Sequence, residues 1–166
     1  MTPLELELSA IEAANLTDLV EQFAELVADS TDAGTIDDPA VARLVPDAYR
    51  DDPDAAGEFR RLTQRDLLRR RSGDAGVVLA TLLRDGEPVT PATLEPGQER
   101  DRIVVTLDAE QLRAWLRTLA AVRLVLASRL GVVDEDDHAD DDSRFGVYDW
   151  LGYRLETLVR AADRDL

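Results

Sequence analysis

Apolar and acidic side chains alternate at the start of the chain, where three leucines within Leu4–Leu8 are separated by Glu5 and Glu7. A repeat of two is typical of a short strand with one buried face. A second run, Arg102–Leu107, is rich in apolar and β-branched residues. Because isolated strands in a helical chain pair most simply with each other, we predict one small sheet formed by these two segments.

Most other apolar residues recur at helical spacing behind capping residues. Ser9 and Glu12 make a capping box before a stripe that predicts a helix from about 10 to 29. Asp38 followed by Pro39 is a cap residue with proline at the first helical position, which predicts a helix start. This short helix is expected to stop before Pro46.

A second aspartate-proline start, Asp52-Pro53, opens the segment 53–84. Thr63 and Asp66 suit a weaker capping box, and two glycines lie in the second half of the segment. We therefore predict two helices here, or one kinked helix. The proline-containing segment 87–100 is predicted to be a surface loop.

The last third of the chain predicts two more helices. Asp108 and Gln111 suit a capping box, and the apolar stripe that follows ends at Gly131. Ser143 can cap the final helix. The fold class is thus mainly α (α+β): a bundle of about five to six helices with one two-stranded sheet, in a single domain over 1–166. Residues 134–142, nearly all acidic, are expected to form a flexible solvated loop within it.

Charge and composition exclude several kinds of protein. The net charge is −16, which repels nucleic acid and anionic membranes. All 19 basic residues are arginines, so a P-loop lysine and Schiff-base catalysis are excluded. The chain has no cysteine, hence no disulfide and no thiolate ligand. Without a signal peptide or a membrane-spanning run, we expect a cytoplasmic location.

Neither catalysis nor a cofactor is indicated. No serine lies in a nucleophile elbow, and no glycine spacing matches a dinucleotide fingerprint. The acidic loop fails the EF-hand register, because Ala139 and Phe145 stand where the turn glycine and the bidentate glutamate belong. His138 alone does not make a metal site. We therefore expect no enzyme activity, no cofactor and no metal.

An arginine strip is the most distinctive charged feature. Between Glu58 and Asp74 six arginines stand against three acidic residues. Such a strip on an acidic protein can bind phosphates or an acidic protein surface, but it can equally pair with the chain's own carboxylates. The candidate partner-binding residues are Arg60, Arg61, Arg65, Arg69, Arg70 and Arg71.

The final helix carries a second candidate contact surface. Trp150 and Tyr153 lie on a different face from its leucine stripe, and Tyr148 is nearby. Aromatic side chains left on a surface favour self-association or partner binding. If the helix is buried on both sides, the same residues belong to the core. Both interpretations remain open from the sequence.

Four segments together resemble the actinobacterial domain-of-unknown-function family 2017. The main one is Leu44–Thr63 followed by Asp66-Leu67. The others are Leu19–Leu26, the Trp115-Leu116 helix that ends in Arg129-Leu-Gly131, and Tyr148-Asp-Trp-Leu-Gly152. The resemblance therefore covers nearly the whole chain.

The resemblance implies transcriptional regulation, because the family is also called the AosR type, for actinomycete oxidative-stress regulator. It implies RNA polymerase or a sigma factor as the partner. The family's redox sensing depends on a cysteine pair, which this chain lacks, so disulfide switching is not expected here.

Three functional hypotheses follow. The first is a non-enzymatic transcriptional regulator that contacts the transcription machinery through the arginine strip and the aromatic face. The second is a helical adaptor or homodimer without a transcriptional role. The third, direct DNA binding, is disfavoured by the net charge.

Overall fold

The computed structural model describes residues 2–33, 36–45, 53–132 and 143–164, with side chains for all of them except 33, 53–60 and 143. The elements in chain order are β1 (Leu4–Ser9), α1 (Ala10–Ala33), α2 (Pro39–Ala42), α3 (Pro53–Leu82), β2 (Arg102–Leu107), α4 (Ala109–Leu130), and α5 (Gly146–Arg164), the last preceded by a 3-10 turn at Ser143–Phe145. This confirms the predicted mainly helical α+β fold with one small sheet. The predicted acidic loop 134–142 lies outside the described residues.

The two strands pair antiparallel, as predicted, with Leu6 opposite Val105 and Leu8 opposite Ile103. One face of the sheet is apolar and contributes Leu6, Leu8 and Val105 to the core. The glutamates of β1 lie on the exposed face. The alternation in the sequence therefore corresponds to the buried and exposed faces of the strand.

The outer edges of this sheet are contacted by arginines. Hydrogen-bonded and non-hydrogen-bonded pairs alternate along an antiparallel ladder, and the Ala10 amide donates to the Asp101 carbonyl at 2.8 Å. Glu7 and Val104, three pairs further along, are therefore not bonded to each other, and their carbonyls point away from the ladder. The Val104 carbonyl accepts a hydrogen bond from Arg84 Nη2 at 3.2 Å. The Glu7 carbonyl accepts one from Arg154 Nη1 at 3.4 Å. Each outer edge thus has a guanidinium on one of its outward-facing carbonyl oxygens.

Most predicted helix ends are confirmed. Asp108 and Gln111 form both arms of a capping box at the start of α4, with N···O distances of 2.8 and 2.9 Å. Gly131 ends the same helix in the left-handed region, with φ of 72°. Asp38 caps α2 by accepting from the Ala40 amide at 2.9 Å.

Helix α1 is longer than the sequence pattern indicated, and α3 is one helix, which was one of the two predicted alternatives. Helix α1 continues beyond residue 29 to Ala33, where the hydroxyls of Ser30 and Thr31 donate to carbonyls one turn back. Helix α3 is one element from Pro53 to Leu82, so Thr63 and Asp66 do not begin a second helix. Gly73 and Gly76, in its second half, leave the helix uninterrupted, and the predicted loop 87–100 forms turns.

Helix α3 packs against both α1 and α4, and its buried face lies in the same apolar core as the sheet. Trp115 of α4 is 1% exposed, and its Nε1 donates to Thr81 Oγ1 of α3 at 2.9 Å. The Thr81 hydroxyl donates in turn to the Val78 carbonyl at 2.6 Å. The indole is therefore buried with its polar atom satisfied, which fixes the contact between the two helices.

Two glycines give a matched test of this backbone. We expect Gly131→Ala to lower the free energy of unfolding by about 1 kcal/mol, because a side chain is strained at positive φ. Gly73→Ala should raise it by about 0.5–1 kcal/mol, since its new methyl group meets nothing within 4 Å inside a helix. Urea unfolding of both variants measures whether each substitution raises or lowers the free energy of unfolding. Equal effects would contradict the assigned backbone at Gly131.

Candidate functional site

Three arginines of the predicted strip line one cleft. Arg61, Arg65 and Arg69 follow one another at intervals of four on α3, and their side chains are exposed. The cleft has a volume of about 430 Å³. The end of α1 contributes Ser30 and Thr31 to it, and Ile36 closes it from the segment that follows. We call this cleft the arginine groove.

The arginine groove carries charge that the described residues do not neutralise. Within ranges 2–33, 36–45, 53–132 and 143–164, no hydrogen bond or ion pair is formed by its three guanidiniums. A rise of 1.5 Å per residue places them about 6 Å apart along the helix axis. They therefore form a row of about 12 Å along the helix, with donors available to an anionic partner.

Arginines elsewhere in the chain are used differently. Arg117 of α4 donates to both carboxylate oxygens of Asp74 on α3, at 2.8 and 2.9 Å. Arg129, near the end of α4, binds the α2 cap Asp38 in the same bidentate way. The hydrogen bond from Arg129 is the main reason that the pKa of Asp38 lies below its ordinary value, and the one from Arg117 to Asp74 raises the pKa of Arg117. Pairing with the chain's own acids thus occurs at these sites.

Arg70 and Arg71 of the strip are not among the residues that line the groove. Arg70 is exposed on the neighbouring row of α3. Arg71 is half-buried, and its Nε has no hydrogen-bond partner among the described residues. Arg60 belongs to α3, but its side chain is not among those described. Of the five strip arginines whose side chains are described, the structure therefore brings three together in one cleft.

The walls of the groove set what it can bind. The hydroxyls of Ser30 and Thr31 donate to carbonyls of their own helix at 2.9 Å, so neither has a proton left to donate to a ligand. The guanidiniums are left as the donors of the groove. Leu62 is 69% exposed beside them, and Asp66 adds one carboxylate. An anionic partner with an apolar side chain matches this mixture.

The predicted aromatic face is divided between the interior and the surface. Tyr148 is 5% exposed and packs in a small apolar cluster with Ala127 and Val132. Trp150 is half-buried, and its Nε1 donates to Glu12 Oε2 of α1 at 3.3 Å. Tyr153 is 61% exposed. Of these three aromatic residues, Tyr153 is the one whose ring is available at the surface, and its partner role stays a prediction.

Arg154 joins α5 to α1 and β1. Its Nη2 donates to Glu12 Oε2, and its guanidinium lies 6.0 Å from the Trp150 ring centroid and 5.7 Å from that of Tyr153. Burial alone would raise the pKa of Glu12. The hydrogen bond and charge of Arg154, with the hydrogen bonds from Trp150 and Ser9, outweigh burial and hold that pKa below its ordinary value. Part of the aromatic face thus contributes to the contact between α5 and α1.

A second cleft, of about 490 Å³, lies beside this contact. Leu19 of α1 and Val147 and Trp150 of α5 supply its apolar part. Its acidic groups are Glu12, which is already bonded to Arg154, and Asp18, which accepts from Gln22 Nε2 at 3.0 Å. Because both carboxylates have internal partners, this cleft offers less unsatisfied charge than the arginine groove.

Gly152 allows an arginine to pack closely on α5. The Arg123 guanidinium lies 4.0 Å from the Tyr148 ring centroid, and its Nε donates to the Tyr148 carbonyl at 3.3 Å. A Cβ at Gly152 would stand 3.0 Å from Arg123 Nη2. The glycine of the Tyr148–Gly152 segment therefore makes room for this stacked guanidinium, which the helical pattern of the sequence did not indicate.

The chain is thus a mainly helical protein with an arginine-lined cleft. The chain belongs to the family described as domain of unknown function (DUF2017), whose sequence profile matches residues 2–162. No curated protein matches the chain, and no solved structure matches it.

The described part of the chain also lacks two features, a group of metal-ligating side chains and a membrane-spanning helix. Among those residues, no group of three or more histidine, cysteine or acidic side chains could hold a metal ion. No helix built from them combines the length and apolar content needed to cross a bilayer.

Substituting Glu12 tests the contact with Arg154. We expect Glu12→Gln to lower the free energy of unfolding by about 1–3 kcal/mol at neutral pH, since a charge-assisted hydrogen bond is lost. The depressed pKa of folded Glu12 fixes the sign of the pH dependence. Its stabilisation is fully present above the ordinary value of 4.5 and is lost as the pH falls through the lower folded value.

The measurement is the difference in unfolding free energy between wild type and Glu12→Gln as a function of pH. Glu21→Gln, at an exposed position of the same helix, is the control and should change little. A Glu12→Gln difference that stayed constant through the acid range would show that the charge of Glu12 does not stabilise this contact.

Proposed function

We propose that this protein is a non-enzymatic cytoplasmic regulator that binds an acidic surface of a protein in the transcription machinery, RNA polymerase or a sigma factor, through the arginine groove. The observation that carries this proposal is the row of Arg61, Arg65 and Arg69, exposed in one cleft and without a carboxylate partner in the described part of the chain. The link to transcription comes from the resemblance to the oxidative-stress regulator type.

Energetics favour a use for these three guanidiniums beyond folding. Arg117 and Arg129 form ion pairs with carboxylates elsewhere in the fold, whereas the three groove arginines form none in the described part of the chain. Three like charges held in one row repel each other, and that repulsion is relieved when an anionic partner binds. A partner that also covers Leu62 would remove exposed apolar surface.

Protein is favoured over nucleic acid as the partner. The net charge of −16 repels a polyanion at long range, while a protein can present a few carboxylates on an otherwise neutral surface. A redox signal read by a cysteine pair is not available to this chain, because it contains no cysteine. The proposed regulator therefore does not act through a disulfide switch.

Affinity capture from native extract tests the proposal. We expect wild-type protein to retain polymerase or sigma subunits, and Arg61→Glu/Arg65→Glu/Arg69→Glu to lose them by about tenfold or more, as charge reversal at an interface does. The matched control is Arg100→Glu/Arg113→Glu/Arg164→Glu, which changes the net charge equally at exposed positions outside the groove. Equal capture by both triple variants, or no transcription subunit with wild type, would count against the proposal.

A homodimer without a transcriptional role is the second candidate. The observation behind it is the exposure of Tyr153 on α5, which leaves an aromatic ring at the surface. A dimer of this kind would bury this ring against a second copy.

Sedimentation equilibrium over a wide concentration range separates the two candidates. If α5 mediates a dimer, Tyr153→Asp should give a monomer with unchanged thermal stability. Val159→Asp, on another exposed face of the same helix, should leave the dimer intact. A wild-type protein that is monomeric throughout the range would exclude the dimer.

A further inference from the structure

The exposed face of α3 carries two parallel rows of side chains. Arg61, Arg65 and Arg69 form one row, and Leu62, Asp66 and Arg70 form the other, both at intervals of four. Such rows are the ridges that interdigitate when two α-helices pack. The opposite face of α3 is already packed against α1 and α4, so this face is the one left for a further helix.

The spacing of the charges fits a helix as well. Successive guanidiniums are about 6 Å apart along the axis, and glutamates four residues apart on a second helix have the same rise. Each guanidinium can then meet one carboxylate in the planar bidentate geometry that arginine favours. Leu62 lies next to this row and can contact one apolar side chain of the incoming helix.

A phosphate ligand fits the groove less well. The row of guanidiniums extends over about 12 Å, which is longer than a single phosphate group. The backbone amides of this part of α3 are inside the helix, and the Ser30 and Thr31 hydroxyls already donate elsewhere. Asp66 stands within the groove and repels a uniform polyanion, whereas a helix can place an uncharged residue opposite it.

We propose that the arginine groove binds an acidic amphipathic α-helix of the partner protein, with carboxylates at intervals of four and an apolar residue that covers Leu62. This inference rests on the proposed function for the existence of a protein partner, and adds the structure and charge pattern of the segment that binds. Because the net charge of the chain repels acidic peptides at long range, matched spacing is what makes binding favourable.

Two labelled synthetic peptides of identical composition test the helix. In the first, three glutamates stand at intervals of four beside one leucine. In the second, the glutamates stand at intervals of two, so that they do not share one face of a helix. Circular dichroism checks that the two peptides are equally helical. Fluorescence anisotropy with the full-length protein then measures their affinities. We expect the first peptide to bind about tenfold more tightly, from matched charge pairs.

Variants of the protein locate the site. Arg65→Glu should weaken binding of the first peptide by about tenfold, and Leu62→Ala by about threefold, because one removes the central charge pair and the other an apolar contact. Arg113→Glu, with the same charge change on α4, should leave the affinity unchanged. Equal binding of the two peptides, or displacement of the first by inorganic phosphate or by a short single-stranded oligonucleotide, would overturn the inference.

The outcome is separable from that of the capture experiment. If capture of polymerase or sigma subunits depends on the groove but the two peptides bind equally, the regulator function stands and the helical ligand is wrong. If the first peptide binds selectively but capture does not depend on the groove, the helix-binding site stands and the transcriptional function is wrong.

Discussion

The antiparallel pairing of β1 with β2 is the contact on which the rest of the arrangement depends. Helix α1 begins directly after β1, and α4 begins one residue after β2. Since the strands are antiparallel, the two helices leave the sheet from opposite ends, and α3 packs against both. The sheet thereby holds the N-terminal segment against the middle of the chain. The position of the α1 end that borders the arginine groove follows from this register.

Arginine performs two distinct roles in this chain. Arg117, Arg129 and Arg154 each bind a carboxylate on another element, and these pairs tie α4 to α3, α4 to the start of α2, and α5 to α1. Arg61, Arg65 and Arg69 are grouped without such pairing in the described residues. The contrast is between side chains that are paired across the fold and side chains that are proposed to bind a partner. Because lysine is absent, the planar, permanently charged guanidinium occupies both settings.

Local signals predicted the features that depend on neighbouring residues. The alternation in Leu4–Leu8 found β1, the pair Asp108 and Gln111 found the start of α4, and Gly131 found its end. The sequence left open whether α3 is one helix or two, because its glycines resemble a break and its packing against two other helices is not visible locally.

The site was predicted only in part, for a related reason. Arginines at intervals of four are visible in the sequence, but their grouping with Ile36 and the end of α1 requires the tertiary fold. Trp150 could not be assigned from its helical face, because its partner Glu12 lies 138 residues away. The one local sign of that contact was an acidic residue in the first turn of α1, which also suited the predicted capping box.

The guanidiniums on the sheet edges have a consequence for how this protein can associate. An unprotected edge strand is a template on which another chain can add a strand. Here Arg84 and Arg154 occupy the outward carbonyls of Val104 and Glu7, one on each edge of a sheet only two strands wide. An incoming strand would have to displace a charged side chain before its own amides could bond. Both edges of the sheet thus carry a charged side chain that opposes the addition of a further strand.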